Sequence, residues 1–380
     1  MSTVTRLIDS VVPSKIRAVY ASAPPDAIDL GLGMPYCPTP VGIQDAAIDA
    51  IRSNKTFYMP NQGLHQLRES VADNENCAQK RPVSADRVLI TTGASEGIFV
   101  AMHSVLRPGD SVLIPDPGYP AYVACALLAG AKPVPYVLRS GDFFSIDSDT
   151  LLRVCAEGNV RMIVINSPSN PTGMCHSPQE LQAVAAIAEE FDITVLSDDS
   201  YAGLYFGKDS VPHIGAFIDE RLLMTVSGVS KTYGMTGWRV GWLIAPENSI
   251  GRCIKYHAYM MSCVASISQY AALAALEDDT GSVRDAMHSN REYAVSVLRA
   301  IPFIWFYEPD GGLYLFADVS RYGSGDHVAA LLRETERTIV IPGSAFGEST
   351  RHFIRISYGA APTILKTGLE RLQRFFYEHI

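Results

Sequence analysis

Apolar residues recur at helical spacing over 40–53 and again over 64–78, with a glycine-punctuated bend from Tyr58 to Gly63 between them. From residue 87 the period changes. Short continuous apolar runs at 88–92, 111–115, 133–138, 162–166, 194–197, 222–227 and 240–245 predict seven strands. Between them the spacing returns to 3.6 residues, as in Ile98, Met102, Val105 and Leu106, and Ser177-Pro178 with Glu180 spells a helix-opening capping box. Strands that are apolar throughout and alternate with helices predict an α/β architecture, with a mostly parallel seven-stranded sheet covered on both faces. A helical region over 249–300 leads to strands at 304–307, 313–318, 338–341 and 353–357, with helices between and after them, which predicts a second, smaller α/β domain. The expected division is an N-terminal segment 1–45 joining the small domain, a large domain 46–275 and a C-terminal small domain 276–380.

Composition narrows the function more than the fold. A chain of 380 residues suggests about two domains. Net charge −9 with no basic stripe argues against nucleic acid as a partner. Seven scattered cysteines with no Cys-x-x-Cys pair fit free thiols in a reducing cytoplasm, and nine histidines without ligand spacing point to no metal. The opening Met-Ser-Thr-Val-Thr-Arg lacks an apolar targeting region and no run is long enough to span a membrane, so a cytoplasmic location is expected. No Gly-x-Gly-x-x-Gly follows a strand, which disfavours a nicotinamide enzyme. Asp278-Asp279, Glu334 and Glu336 read as solvated helix faces, and Met260-Met261 as helix core.

In an open parallel sheet, ligands bind beyond the carboxyl ends of the strands. Polar groups recur at those positions here. Thr92-Gly93-Ala94-Ser95-Glu-Gly opens a helix whose free N–H groups suit a phosphate, or else makes a tight turn capped by Ser95. Asp116-Pro-Gly-Tyr119-Pro offers a ring for stacking or for packing. Asn166-Ser-Pro-Ser-Asn170-Pro-Thr-Gly173 is a proline-rigid turn that fixes Asn170. Ser197-Asp198-Asp199-Ser-Tyr201 sets a carboxylate at a strand end and a phenol three residues on, or else a pair of solvated loop aspartates. In Ser227-Gly-Val-Ser230-Lys231-Thr-Tyr-Gly-Met-Thr-Gly-Trp-Arg239, a lysine with little neighbouring charge precedes an arginine. Desolvation and a second cation lower a lysine's pKa, which suits an amine that attacks a carbonyl, and arginine clamps phosphate. An amine and a phosphate clamp together suggest pyridoxal 5′-phosphate. The plainer reading of Lys231 is a loop lysine in surface ion pairs.

The series Gly93-Ala-Ser95, Asp116-Pro-Gly-Tyr119-Pro, Asn170-Pro-Thr-Gly173, Asp198-x-x-Tyr201 and Ser230-Lys231-x-x-Gly-x-x-Gly-x-Arg239 resembles the class I/II aminotransferases, fold-type I pyridoxal-phosphate enzymes, over nearly the whole chain. The resemblance implies that 46–275 binds the cofactor and that Lys231 forms the internal aldimine. It places Asp198 on the pyridine nitrogen, Asn170 and Tyr201 on the ring O3′, Tyr119 against the ring, and Gly93, Ala94, Ser95, Ser230 and Arg239 around the phosphate. Gly228 stands where relatives carry a serine. Tyr58 matches a residue that reaches a neighbouring subunit's cofactor phosphate, implying a homodimer with shared sites. Arg355, in Phe353-Ile-Arg-Ile-Ser, matches the arginine that binds the substrate α-carboxylate. Gly33 matches the loop over that carboxylate, Asn170 lies beside it, and Pro342-Gly-Ser-Ala-Phe-Gly347 matches a loop on the substrate side.

The function so implied is transfer of an amino group from an amino acid to a 2-oxo acid by a ping-pong route, with Lys231, Asp198 and Tyr201 as the catalytic residues. A lyase, cyclase or C–C bond-forming enzyme on the same scaffold is the alternative, since Asp199-Ser200 stand where relatives often carry Glu and an aliphatic residue. A non-catalytic cofactor-binding sensor is a remote third reading, disfavoured because the chain has no basic helix.

Overall fold

The computed structural model describes residues 7–277 and 281–379; Asp278 and Asp279 lie outside them. Strands, in chain order, are β1 (Ile28–Asp29), β2 (Val88–Thr91), β3 (Ser111–Asp116), β4 (Lys132–Val137), β5 (Val160–Asn166), β6 (Thr194–Asp198), β7 (Leu223–Gly228) and β8 (Gly241–Ile244). They continue with β9 (Trp305–Phe306), β10 (Tyr314–Asp318), β11 (Thr338–Ile339), β12 (Ile341–Pro342) and β13 (Phe353–Ser357). The helices that matter below are α1 (Lys15–Ala21), α2 (Val41–Arg52), α3 (His65–Gln79), α4 (Ala94–Val105), α5 (Ala121–Leu128), α6 (Ser148–Glu157), α7 (Pro178–Phe191), α8 (Val229–Thr232) and α9 (Glu247–Met260). After them come α10 (Ser266–Glu277), α11 (Gly281–Arg299), α12 (Gly325–Thr335) and α13 (Pro362–Glu378).

β2 to β8 form one seven-stranded sheet in the order β2-β8-β7-β6-β5-β3-β4, and only β8 runs against its neighbours. Successive side chains on a strand face opposite sides, and both sides are apolar here. Val112, Ile114, Met162, Val164 and Leu196 join the core under α4, α5 and α9. Their sequence neighbours Leu113, Ile163, Ile165 and Val195 join the core that includes Leu151 of α6 and Leu181 and Val184 of α7. That explains why the inner strands read as unbroken apolar runs; the edge strand β4 is buried only at Tyr136. The capping box on α7 is present as expected, with Ser177 and Glu180 exchanging bonds.

β12-β13-β10-β9 form an antiparallel sheet whose core partners include Leu298 of α11, Leu332 of α12 and Leu369 and Phe376 of α13. β1 pairs in parallel with β11, so the chain's N-terminal segment is tied to its C-terminal third.

Three expectations change. The helical stretch 249–300 is broken into α9, α10 and α11. Met260 and Met261, expected in a helix core, are 46% and 44% exposed at the end of α9, beside Tyr259 at 90%. They lie past the part of α9 that packs on α4. Glu336 is not a solvated residue: it ends α12 and pairs with Arg374 of α13 at 2.5 Å. Helical spacing shows an amphipathic face but not what another element will lay against its end.

Candidate active site

Because β8 is reversed, its amino end lies at the same edge as the carboxyl ends of the parallel strands. Gly241 sits opposite Thr91 on one side and Gly228 on the other. This register brings Arg239, just before β8, to Gly93 after β2 and to Lys231 after β7. The approach is close enough to exclude side chains. A Cβ on Gly241 would lie 2.5 Å from the Ala94 nitrogen, and one on Gly228 would lie 2.8 Å from Gly241 Cα. Gly228 therefore follows from the packing of the two strand ends.

Gly93 is the N-cap of α4 at φ 76°, a conformation that favours glycine, and a Cβ there would meet Arg239 Nη2 at 2.4 Å. Ser95 is inside the helix and not its cap. Arg239, itself at φ 54°, donates to the carbonyls of Thr236 at 3.0 Å and Thr92 at 3.3 Å. Glycine-lined N–H groups at a helix start, with an arginine across them, make an anion cradle.

Asp198 ends β6 and is buried, as is Asp199, so they are not solvated loop aspartates. Asp198 Oδ2 accepts from Tyr122 Oη at 2.6 Å, and Oδ1 accepts from Ser200 Oγ at 2.6 Å and Ser200 N–H at 3.1 Å. Burial pushes its carboxyl up, those three donors oppose this, and the Asp199 charge adds to it; the direction is upward. Asp199 is engaged elsewhere, by Ser197 Oγ and by His213 Nε2, both at 2.8 Å. His213 Nδ1 accepts the Gly215 N–H at 2.9 Å, which leaves the ring proton on Nε2, facing Asp199.

Lys231 is on the single turn of α8, and its Nζ donates to the Gly33 carbonyl at 2.6 Å. It forms no ion pair with any described residue. Burial lowers its pKa, Arg355 and Arg239 push the same way, and Tyr314 and Asp198 oppose them. Nζ also lies 6.0 Å from the centre of the Tyr201 ring. Tyr201 Oη is 2.9 Å from Tyr314 Oη, and burial, with Tyr314 beside it, raises the Tyr201 phenol well above its ordinary value.

Arg355 is on β13, an interior strand of the small sheet, and is buried. It is no edge-strand arginine in a surface pair. Nη1 donates to Asn170 Oδ1 and Nη2 to the Gly31 carbonyl, both at 2.7 Å, and Nε is buried without a partner. The guanidinium lies between the rings of Tyr314, 4.0 Å away, and Phe346, 4.6 Å away. Asn170 is held in turn: its N–H donates to Asn166 Oδ1 at 2.7 Å, and Asn166 Nδ2 donates to the Asp198 carbonyl at 2.7 Å.

Lys231, Asp198, Tyr201, Asn170, Arg355, Gly33, Arg239, Gly93, Ala94 and Ser95 thus gather at one edge of the large sheet. Tyr119 is half-buried and meets Tyr122 edge to face, ring centres 5.6 Å apart. Ser230 is half-buried on α8. Tyr58 stands apart, 90% exposed beside Phe57 at 79%. Tyr122, Ser200 and Tyr314 were missed from the sequence. Ser200 had a signal, since Asp followed two residues later by a free N–H is an Asx turn. Tyr122 had a weaker one, one helical turn from Tyr119. Tyr314 had none, because only the tertiary fold brings β10 to this edge.

A cleft of about 930 Å³ lined by Phe143, Trp305 and Tyr307 lies apart from this constellation, and two of its arginines are already paired, Arg139 with Asp147 and Arg299 with Glu308. No helix among the described residues is long and apolar enough to cross a membrane, and no described cluster could hold a metal.

Residues 25–372 match the family described as aminotransferase class I and II. The chain is 37% identical to an aspartate aminotransferase of Pyrococcus horikoshii, over 95% of this chain and 94% of that one. It is 32% identical to aromatic-amino-acid aminotransferase 2 of Thermococcus litoralis, over 98% and 97%. Among solved structures it superposes on an aspartate aminotransferase from Thermotoga maritima with a TM-score of 0.92 at 28% identity, covering 98% of this chain and all of the other.

Proposed function

This chain belongs to the class I and II aminotransferases and is an aminotransferase, and we propose that it works with pyridoxal 5′-phosphate held between Asp198 and Arg239. The observation that carries the reading is a convergence: a lysine of lowered pKa, a buried carboxylate and a buried arginine with an unsatisfied N–H at one strand edge. The residues fit the group. Asp198 is a carboxylate that burial destabilises and that a cationic ring N–H would relieve. The Gly93 turn and Arg239 form a cradle for a phosphate, with Ala94, Ser95 and Ser230 beside it, and Tyr119 offers a ring face. Bound there, the cofactor supplies an aldehyde carbon and an electron-withdrawing protonated ring.

The chain's own part follows from its geometry. Arg355 binds the amino acid's α-carboxylate, which satisfies its free Nε–H and replaces the Gly31 carbonyl. Lys231 Nζ, neutral more readily than an exposed lysine, takes the α-proton as general base. Asn170 and Tyr201, each oriented by a fixed partner, donate hydrogen bonds to the ring oxygen. Gly33 and its loop cover the carboxylate and exclude water. Asp198 keeps the ring nitrogen's proton in place.

A homodimer with Tyr58 reaching the partner's phosphate is supported by the exposure of the adjacent rings of Phe57 and Tyr58, 79% and 90% exposed on the single chain. The amino donors and acceptors are amino and 2-oxo acids. The lyase or cyclase alternative gains nothing from the relatives, whose names are those of aminotransferases. A half-reaction screen tests the reading: holoenzyme is mixed with one amino acid at a time and the products are followed by mass spectrometry. One equivalent of 2-oxo acid per site, without ammonia, is expected. Steady release of ammonia, an olefin or a cyclic product would replace this reading with the alternative.

A further inference from the structure

One buried ionisable couple has no part in the chemistry above. His257, on α9, is fully buried and brings Nδ1 to 2.7 Å from Oε1 of Glu96, whose side chain is 7% exposed. Glu96 belongs to the first turn of α4, three residues beyond the N-cap Gly93. From that position a glutamate ordinarily accepts the N-cap's own N–H. Here Oε2 reaches one residue further back and accepts the Thr92 N–H at 2.5 Å. The two peptide units that flank the Thr92 Cα are thereby pinned, one through the Thr92 N–H by Glu96 and the other through the Thr92 carbonyl by Arg239. Gly93 is pinned as well, its N–H on the Thr91 carbonyl at 2.8 Å and its carbonyl on Thr91 Oγ1 at 3.0 Å. No described carbonyl takes the N–H of Ala94 or Ser95.

A carboxylate here is electrically awkward. It sits at a helix start that would also receive a phosphate, and two anions sharing one helix terminus repel. Burial alone would raise the Glu96 carboxyl, yet the bonds from His257 and from Thr92 hold it below its ordinary value. Among the described residues, His257 is the one ionisable side chain paired with it. The second ring nitrogen, Nε2, is buried without a partner, so the bond to Glu96 is the one polar bond this side chain makes among the described residues.

We propose that Glu96 and His257 are a positioning couple for the phosphate cradle. Glu96 locks the Thr92–Gly93 turn so that the Ala94 and Ser95 N–H groups stay free, and His257 ties its carboxylate to α9 through the Nδ1–Oε1 bond. The couple touches neither substrate nor reacting atoms and acts only through the turn. It rests on reading Gly93–Ser95 as the phosphate site.

The test measures cofactor binding and not turnover. Wild type, H257L, H257N, E96Q and the E96Q/H257L double variant are stripped and reloaded with pyridoxal phosphate. The dissociation constant and the melting temperatures of apo and holo forms are measured for each. H257L should raise the dissociation constant about tenfold and narrow the gap between holo and apo melting. The double variant should recover part of that loss, because the uncompensated carboxylate is gone. H257N, which keeps a donor near Nδ1, should stay within about threefold of wild type and covers the case in which H257L folds poorly. Equal dissociation constants in wild type, H257L and E96Q overturn the proposal, as does a fall in apo and holo melting that leaves their gap unchanged. A wild type that takes up no pyridoxal phosphate overturns the cofactor reading itself, and the couple's role with it.

Discussion

Nη1 of Arg355 donates to Oδ1 of Asn170 at 2.7 Å, joining the middle of the small sheet to the turn that follows β5 of the large one. The two residues are 185 apart in sequence and both are buried. This bond sets the spacing between an arginine proposed to bind the substrate carboxylate and a group proposed to bond the cofactor ring. It also shows how one side chain can be fully buried and still hold an N–H in reserve.

Replacing Arg355 with lysine keeps the charge and removes the planar fork. Steady-state kinetics of R355K should show KM for the amino acid raised by about 100-fold, with kcat within about tenfold of wild type. A loss confined to kcat would mean that Arg355 does not bind the substrate carboxylate.

Tyr122 Oη is one of three donors to Asp198, at 2.6 Å. Y122F should cost about 1.5–3 kcal/mol of stability, the range for a hydrogen bond to a charged group. Turnover should fall by less than about tenfold, because Ser200 still holds the other oxygen. D198A removes the charge itself and should lower kcat by on the order of 10² to 10³. If Y122F and D198A were equally damaging, the tyrosine would have a direct role that this geometry does not give it.

Lys231 provides a pH test in the apo protein. Its folded pKa is lowered by burial, with Arg355 and Arg239 acting in the same direction, so between that value and the unfolded value of about 10.4 the folded state holds fewer protons than the unfolded one. Stability from this group therefore rises with pH through that window. K231M lacks the term. It should melt above wild type near neutral pH, and the difference should shrink as pH approaches about 10. A difference that stays constant with pH would show that Lys231 carries no burial penalty.

Two glycines should respond in opposite directions to the same substitution. Gly241 has backbone atoms 2.5 to 2.7 Å from where a Cβ would be, so G241A must part the ends of β2, β7 and β8. Gly251, inside α9, has nothing within 4 Å, and alanine is better by about 1 kcal/mol in a helix interior. Thermal melts should place G251A above wild type and G241A well below it, with weakened cofactor retention in G241A alone.

The large sheet was legible because its inner strands are buried on both faces, which leaves an unbroken apolar run in the sequence, while the edge strand β4, exposed at Lys132, Pro135 and Val137, carries a weaker one. The reversal of β8 was not. A buried antiparallel strand such as Gly241–Ile244 carries the same pattern as a parallel one, and the reversal shows only in the register of Gly241 against Thr91 and Gly228. Strand-end motifs located Asp198, Asn170 and Lys231, since local spacing fixes them. Of the two rings that enclose Arg355, Phe346 lies in the loop 342–347, whose motif was legible, whereas Tyr314 comes from β10 of the small sheet and has no local signature. Met260 and Met261 misled because helical spacing reads the same whether a face meets a core or is left uncovered, as theirs is at the end of α9.

Lys231 is the amine proposed to bond the cofactor. Holoenzyme would be reduced with sodium borohydride, digested, and its lysine peptides mapped by mass spectrometry. A pyridoxyl group on Lys231 alone, absent from K231M treated in the same way, is the result this structure predicts. A label on any other lysine, or an unlabelled Lys231 in protein that has taken up the cofactor, would contradict it.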